Sequence, residues 1–465
     1  MKHFTAVILA AGEGTRMKSY TPKVLHKVCG LSMLGHVIKA TRTAGAEKIV
    51  VVVGKNAEKI KEAFKDDDIE FVMQYEQKGT GHAVKQAEKA VKGSSQFVLL
   101  YGDMPMITAE SIKGMVRYHN EQRAATTVMT ADVSDPTGYG RIIREGEQVI
   151  AIREHKDATP EEKKVNEINA GFYCFDTSLV FSALEKVENK NQQGEYYLTD
   201  VVEILNGQNK KVVAYKIKDE DELHGVNDRR QLAHAQRLMQ KRIIEHWMEE
   251  GVTFINPDTC MVDCTVTIGR DTVIYPGVML EGTTQIGENC TIIGQSRIRN
   301  SKIGNNCEII MSQIDQCILH DKVKIGPYSN LRPGCELSTN VKVGDFVEIK
   351  NTKVGEGTKI PHLSYLGDGV LGSHINIGAG VIFVNYDGYK KHQTIVEDNA
   401  FIGCNSNLIA PVTIKSGSFV AAGSTITKEV PEDALAVARC KQENKLGWVS
   451  KRRNMREGGT KTDEK

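Results

Sequence analysis

From Ile268 onward an aliphatic side chain returns every sixth residue: Ile268, Ile274, Leu280, Ile286, Ile292 and Ile298. The count slips by one to Ile303 and Ile309, then resumes at Ile325, Leu331, Leu337, Val343 and Ile349. It runs again through Val354, Ile360 and Leu366, and last through Ile402, Leu408, Ile414, Val420 and Ile426. An amphipathic helix repeats near 3.6 and a half-buried strand at two, so a period of six fits neither. It predicts a parallel β-helix in which each hexapeptide supplies one short strand and three make a triangular coil. Gly follows many anchors, as at Gly269, Gly287 and Gly304, and a small residue stands four after, as at Thr272, Cys290, Ser296 and Cys335. A narrow prism has room for one branched and one small side chain per face, which this alternation supplies.

Residues 1–228 follow another rhythm. Apolar runs at 6–9, 49–53, 97–101, 126–131, 172–175 and 212–215 alternate with helical patterns. That order predicts a mostly parallel, Rossmann-like α/β sheet suited to nucleotide binding. Between the two blocks, Leu232, Ala235, Met239, Ile243 and Trp247 recur at helical steps amid charge, predicting a connecting helix over 229–250. The prism is expected over 251–440. A basic, polar tail at 441–465 is expected to be mobile.

Composition narrows the function. A net charge of +1 in 465 residues offers no strong field for nucleic acid or acidic membranes. No stretch approaches the roughly 18 apolar residues of a membrane span, and the N-terminus lacks a signal-peptide pattern. The ten cysteines contain no CxxC pair, which disfavours a zinc site or disulfide framework and points to a reducing cytoplasm.

Two sets of polar residues are not demanded by packing. In the first, Leu9, Ala10, Ala11, Gly12, Glu13, Gly14, Thr15, Arg16 and Met17 follow the first strand. Small residues there let backbone amides approach a nucleotide, while Arg16 and then Lys23, after Pro22, supply cations for phosphate. Tyr101, Gly102 and Asp103 end an apolar strand, at the edge where open α/β sheets bind ligands. A carboxylate at Asp103 suits a hard divalent cation such as Mg²⁺, and Asn227 could add an amide oxygen. Each has a plainer reading: Asp103 or Asn227 could cap the helix that follows it. Gln74, Gly79, Thr80, Gly140, Glu154 and Asn169 could each be a turn or cap residue. His82 reads as a helix-start residue rather than a catalyst.

The second set decorates the prism. Arg332 and Lys350 place cations on successive coils, and His362 stands near Tyr365. Asn376 and Ala379 lead into Asn385, Tyr386, Asp387 and Gly388, where the six-residue register breaks. A break in a solenoid is a natural place for a binding loop. Solvated surface charge is the plainer account of Arg332 and Lys350, and a surface imidazole that of His362.

The first set, from Leu9 through the Pro22-Lys23 pair, closely resembles the signature of sugar-1-phosphate nucleotidylyltransferases. Together, in order and spacing, both sets resemble the bacterial bifunctional N-acetylglucosamine-1-phosphate uridyltransferase/glucosamine-1-phosphate N-acetyltransferase family. That resemblance implies a left-handed β-helix, a homotrimer, and a route to UDP-N-acetylglucosamine from glucosamine-1-phosphate, acetyl-CoA and UTP. It implies Arg16 and Lys23 on the phosphates, and Asp103 and Asn227 on Mg²⁺. Gln74, Gly79, Thr80, Gly140, Glu154 and Asn169 would contact base, ribose and sugar. In the prism, His362 would be the general base that activates the sugar amine. Arg332, Lys350, Tyr365 and Asn376 would hold sugar phosphate, and Ala379, Asn385, Tyr386, Cys404, Ala422 and Arg439 would hold acetyl-CoA. Cys404 stands where the family usually carries Ser, a departure that weakens a hydrogen bond there. The alternative is a nucleotidylyltransferase alone, whose β-helix serves only oligomerisation or regulation.

Overall fold

A computed structural model describes residues 3–458. The chain divides into two compact units, one of residues 1–249 with 261–266 and one of residues 250–260 with 267–465.

In the second unit, short strands stack into three parallel sheets of eleven, ten and nine strands among the described residues. Equivalent anchors sit directly above one another: Ile274 pairs with Ile292, and Ile349 with Leu366. Both are buried, like nearly every anchor of the repeat. Each such side chain withdrawn from water contributes roughly 1.5–3 kcal/mol, so the regular column is what holds the coils together. The slips in the count are five-residue steps to Ile303, Ile314, Leu319, Val354 and Leu371, turned at corners by Asn300, Met311, Gln316, Asn351 and Asp368 with positive φ. Ile314, Leu319, Leu371, Ile377, Phe383 and Val396, outside the strict period, are buried in the same core. The arrangement is the left-handed β-helix of hexapeptide repeats.

The small-residue column does more than fill space. The Thr272 hydroxyl accepts from the Cys290 amide at 3.0 Å and donates to the Gly287 carbonyl at 2.8 Å. Thr352 and Thr358 likewise accept from the amides of Gly369 and Ile375 on the following coil. Buried hydroxyls must be satisfied, and here satisfaction ties coil to coil.

The first unit is built on a mixed sheet. Its strands run in the order Val212–Lys216, Thr126–Asp132, Glu167–Asp176, Gln96–Tyr101, Thr5–Ala10, Lys48–Val53 and Glu70–Met73. All pair in parallel except Glu167–Asp176, which is antiparallel to both neighbours and also carries the hairpin of Arg141–Glu145 and Gln148–Arg153. Thr5–Ala10 is buried throughout. Ile8 faces one apolar layer with Val51 and Leu100, whereas Val7 and Leu9 face the other with Val52 and Leu99. Burial on both faces explains why these strands read as unbroken apolar runs. From Thr5–Ala10 the chain first builds one side of the sheet, then returns on the other with Gln96–Tyr101. The two carboxyl ends, with Leu9 opposite Tyr101, form a topological switch point.

The connecting helix spans Arg229–Glu249 and packs Ala235 against Cys29, Met33 and Val226. Within the tail expected to be mobile, Trp448–Gly458 is helical. Arg452 stacks over the Trp448 ring at 5.3 Å, a contact that favours the turn joining them. The remainder of the predicted tail, 459–465, lies outside the described residues.

Candidate active sites

At the switch point a cleft of about 290 Å³ is lined by Leu9, Ala10, Ala11, Gly12, Lys23, Gln74, Gly79, Thr80, Tyr101 and Asp103. These ten were all expected as site residues. Val24, Gln77, Ala83 and Glu195 complete the lining. Gln77 was not foreseen, yet its amide donates to the Ala11 carbonyl at 2.6 Å and so anchors the glycine loop. His82, on the helix Thr80–Gln86, meets the Gln74 amide at 3.2 Å and positions it. Arg16 is not gathered into the cleft; it stands exposed on the turn Thr15–Met17.

Lys23, Asp103 and Asn227 converge. The Lys23 ammonium contacts the Asp103 carboxylate and donates to the Asn227 amide oxygen at 3.0 Å. Neither oxygen is spent on a helix cap. Thr108 caps the helix Ala109–Gln122, accepting from the Ser111 amide at 3.1 Å. Asp228 caps the connecting helix, accepting from the amides of Arg230 and Gln231 at 2.8 and 2.9 Å. The Val226 amide donates to the Asp103 carbonyl at 2.9 Å, fixing the two oxygen-bearing segments together. A carboxylate and an amide oxygen converging on one cation form a hard donor pair of the kind that suits Mg²⁺.

Gly14 is a position where only glycine fits. Its φ is +65°, and a Cβ there would lie 2.5 Å from the Lys23 Cβ. Gly14→Ala is therefore expected to introduce about 1–3 kcal/mol of backbone strain, to displace Lys23, and to slow chemistry in this cleft by about five- to a hundredfold. Steady-state assays of both clefts check it, because the prism site should be unaffected.

Gly140, Glu154 and Asn169 form a neighbouring wall. The Asn169 amide N–H donates to the Gly140 carbonyl at 2.9 Å, and a Cβ on Gly140 would lie 3.6 Å from both Asn169 Cβ and a Glu154 carboxylate oxygen. The Asn169 side chain donates to the Tyr173 hydroxyl at 2.7 Å, across the bulge in its strand. Burial raises the Glu154 carboxyl above the usual range, against the Thr199 hydroxyl, with Asp157 and Asp200 adding to the rise.

Asp200, which opens the helix Asp200–Gly207, is pushed up to about 6, first by burial and then by Glu203. Its ordinary value is 3.8, so the folded state disfavours the anion. This cost is absent below the ordinary value and complete above about 6. Asp200→Asn should therefore stabilise the fold near pH 7.5 by about 1 kcal/mol after solvent screening. It should give no gain near pH 4. Thermal melts at both pH values check the sign.

On the prism, the strand Lys359–His362 pairs with Lys342–Asp345 so that His362 lies directly above Asp345. The imidazole Nδ1 meets the Asp345 carboxylate at 2.5 Å, and this contact holds the carboxyl below its usual range. The cations gather at the far end of the adjoining face. Arg332 pairs with Glu348 at 2.9 Å. Lys350 is held below the ordinary lysine range chiefly by Lys391 beside it, with Arg332 adding and Asp368 opposing. Lys391 was not foreseen; the only signal was a lysine pair in the register break.

Tyr365 and Asn385 close over Gly367, where a Cβ would lie 2.5 Å from the Tyr365 hydroxyl and 2.6 Å from the Asn385 amide. Asn385 and Asn351 both donate to Asp368 at 2.6 Å. Tyr386 extends outward, its hydroxyl donating to the Gly388 carbonyl. Asn376 pairs with Phe401 on the next coil. Ala379, Cys404 and Ala422 form one vertical line, because the Asn405 amide donates to Ala379 and the Gly423 amide to Cys404. The Cys404 thiol is exposed at that line, and Arg439 is exposed beyond the last strand.

Similarity to known proteins covers both units. The nucleotidyl transferase family profile matches residues 5–251, and the bacterial transferase hexapeptide profile matches 393–428. "Bifunctional protein GlmU" of Alkaliphilus metalliredigens (strain QYMF) is 50% identical over 448 residues, 96% of this chain and 98% of that protein. The protein of that name from Listeria monocytogenes serotype 4a (strain HCC23) is 51% identical over 446 residues, 96% of this chain and 97% of its own. That of Halalkalibacterium halodurans is 49% identical over 456 residues, 98% and 100%. A cleft for nucleotide phosphates and an imidazole-bearing prism thus occur in one chain whose relatives align from end to end, and the chain belongs to the bifunctional GlmU family of uridyltransferase–acetyltransferase enzymes.

Proposed function

We propose that the prism transfers acetyl from acetyl-CoA to glucosamine-1-phosphate, and that the cleft then transfers uridylyl from UTP to N-acetylglucosamine-1-phosphate. The observation that carries this reading is that two separate polar clusters, neither required by packing, stand in the two units of one chain. In the cleft, the sugar phosphate oxygen attacks the α-phosphorus of UTP in line and pyrophosphate leaves. Lys23, with Arg16 drawn in from its exposed turn, offsets the charge that builds on the phosphates, while the glycine loop and Gln77 hold the nucleotide in place. Gln74, Gly79, Thr80, Tyr101 and Gly102 bound the base and ribose, and Gly140, Glu154 and Asn169 the sugar. Asp103 and Asn227 would hold Mg²⁺, which when bound shields the phosphate oxygens.

In the prism, His362 accepts a proton as the sugar amine attacks the thioester. Arg332, Lys350 and Lys391 take the sugar phosphate, with Tyr365 and Asn376 orienting the sugar. Ala379, Asn385, Tyr386, Cys404, Ala422 and Arg439 flank acetyl-CoA. A homotrimer is supported by an exposed apolar ridge on one prism corner. Met311, Tyr328, Phe346 and Leu363 all adopt positive φ there, and the Tyr328 and Phe346 rings stack at 5.3 Å. The coil corner sets that backbone, but four exposed apolar side chains in one column form a patch of the kind that marks an interface, and a second copy packed on the ridge would cover it. A cytoplasmic setting agrees with the ten unpaired cysteines. Among the described residues no helix is long and apolar enough to cross a membrane.

Omission tests decide between two activities and one. With glucosamine-1-phosphate, acetyl-CoA, UTP and Mg²⁺, both thiol and pyrophosphate should appear. Without acetyl-CoA neither should, and supplying acetylated sugar phosphate in its place should restore pyrophosphate alone. Pyrophosphate without any thiol release under every condition would leave a nucleotidylyltransferase alone.

A further inference from the structure

We infer that Asp345 is a positioning residue for the acetyl-transfer reaction, holding the His362 ring in the tautomer and orientation that leave Nε2 facing the substrate. The inference rests on the general-base role proposed for His362.

Three observations carry it. First, the pairing of Lys342–Asp345 with Lys359–His362 extends to Asp345 and His362 themselves, at the end of both strands. Second, the two coils approach unusually closely there: a Cβ on Gly344 would lie 1.9 Å from the Pro361 carbonyl oxygen. Third, the Ser364 hydroxyl donates to the His362 carbonyl at 2.8 Å and sits 3.2 Å from that of Gly378, fixing the backbone to the coil above. The imidazole is thus mounted on a rigid step with Nδ1 at 2.5 Å from the Asp345 carboxylate. An ionised carboxylate only accepts, so the proton of the neutral ring sits on Nδ1 and the lone pair on Nε2.

The chemistry then balances. The amine nitrogen attacks the thioester carbonyl carbon, and Nε2 takes the proton that the nitrogen loses. The C–S bond breaks, and the departing thiolate takes that proton from Nε2. The products are the acetamide and free thiol, and the imidazole returns to its starting form. While the ring carries both protons, Asp345 accepts from Nδ1–H and stabilises the cation, as the carboxylate of a Ser-His-Asp triad does. In this scheme Asp345 acts only through His362.

A merely structural ion pair would behave differently. The imidazole is 55% exposed and the carboxylate 38%, and pairs of that kind add little to stability. The test uses the full chain with Asp345→Ala and Asp345→Asn. For Asp345→Ala, kcat for thiol release should fall by about tenfold or more. KM for acetyl-CoA and the rate of pyrophosphate release should hold. Asp345→Asn, whose amide oxygen can still accept, should recover part of the loss. Nitrogen NMR of the labelled ring, assigned by its disappearance in His362→Ala, should show the Nδ1–H tautomer in the parent and a mixture in Asp345→Ala. Unchanged kcat together with an unchanged tautomer would overturn the inference while leaving His362 as the base. Full thiol release by His362→Ala would instead remove the general-base role itself, and the inference with it.

Discussion

A His362→Ala protein is expected to release thiol from acetyl-CoA about a hundred- to ten-thousandfold more slowly than the parent, the range that a positioned general base contributes. The amine must lose a proton as nitrogen bonds to the thioester carbon, and imidazole is the side chain whose ordinary range suits that exchange near neutrality. On the structure the loss should be confined to one reaction. His362 is an exposed side chain at the end of a strand, outside the column of buried anchors. Its removal therefore leaves the prism core intact, and the uridylyl reaction, measured with pre-acetylated sugar phosphate, should proceed at the parental rate. A matching fall in pyrophosphate release would show that the substitution had damaged the fold rather than the base.

Lys23→Ala should produce the mirror image. Loss of one charge-stabilising donor in a preorganised site costs roughly a hundred- to a thousandfold in kcat. Here the lysine has two duties, because it also bridges Asp103 and Asn227. Its removal leaves two oxygens converging on each other without a cation, so the variant should bind Mn²⁺ more tightly than the parent when no nucleotide is present. Pyrophosphate release and metal titration of the free protein give independent readings. Thiol release should be unchanged.

Much of the architecture was visible in the period of six, since a solenoid repeats its packing demand at every coil. The anchors that escaped that period, Ile314 and Leu319 among them, follow five-residue steps, in which the positive-φ corner residues Met311 and Gln316 stand two after the preceding anchor rather than three. The antiparallel insertion of Glu167–Asp176 was hidden because an apolar run buried on both faces reads the same in either direction. In the cleft, the glycine loop and the Tyr101-Gly102-Asp103 turn were legible because close packing after a buried strand restricts side chains locally, as at Gly14 against Lys23 and Gly102 against Leu34. Gln77 was not, as one glutamine in a polar loop carries no such mark.

Asp345 and Lys391 escaped for a different reason. Asp345 meets His362 across 17 residues, one coil of the prism. Lys391 meets Lys350 only because a hairpin folds back, with Tyr386 bridged to Lys391. Contacts between coils become visible in sequence only when positions are compared at the coil length, not at the six-residue step. The tail helix was obscured by its charge, which disguises the Trp448–Arg452 contact as solvated polarity.

The most direct test of two separate chemistries in one chain is to mix the two single-site variants. With glucosamine-1-phosphate, acetyl-CoA, UTP and Mg²⁺, neither His362→Ala nor Lys23→Ala alone should turn over the whole sequence at an appreciable rate. Combined in one tube they should release thiol and then pyrophosphate, the second after a lag while the acetylated sugar phosphate accumulates and passes between proteins. A mixture as inactive as its components, with each variant still folded, would contradict the assignment of the two reactions to two independent sites.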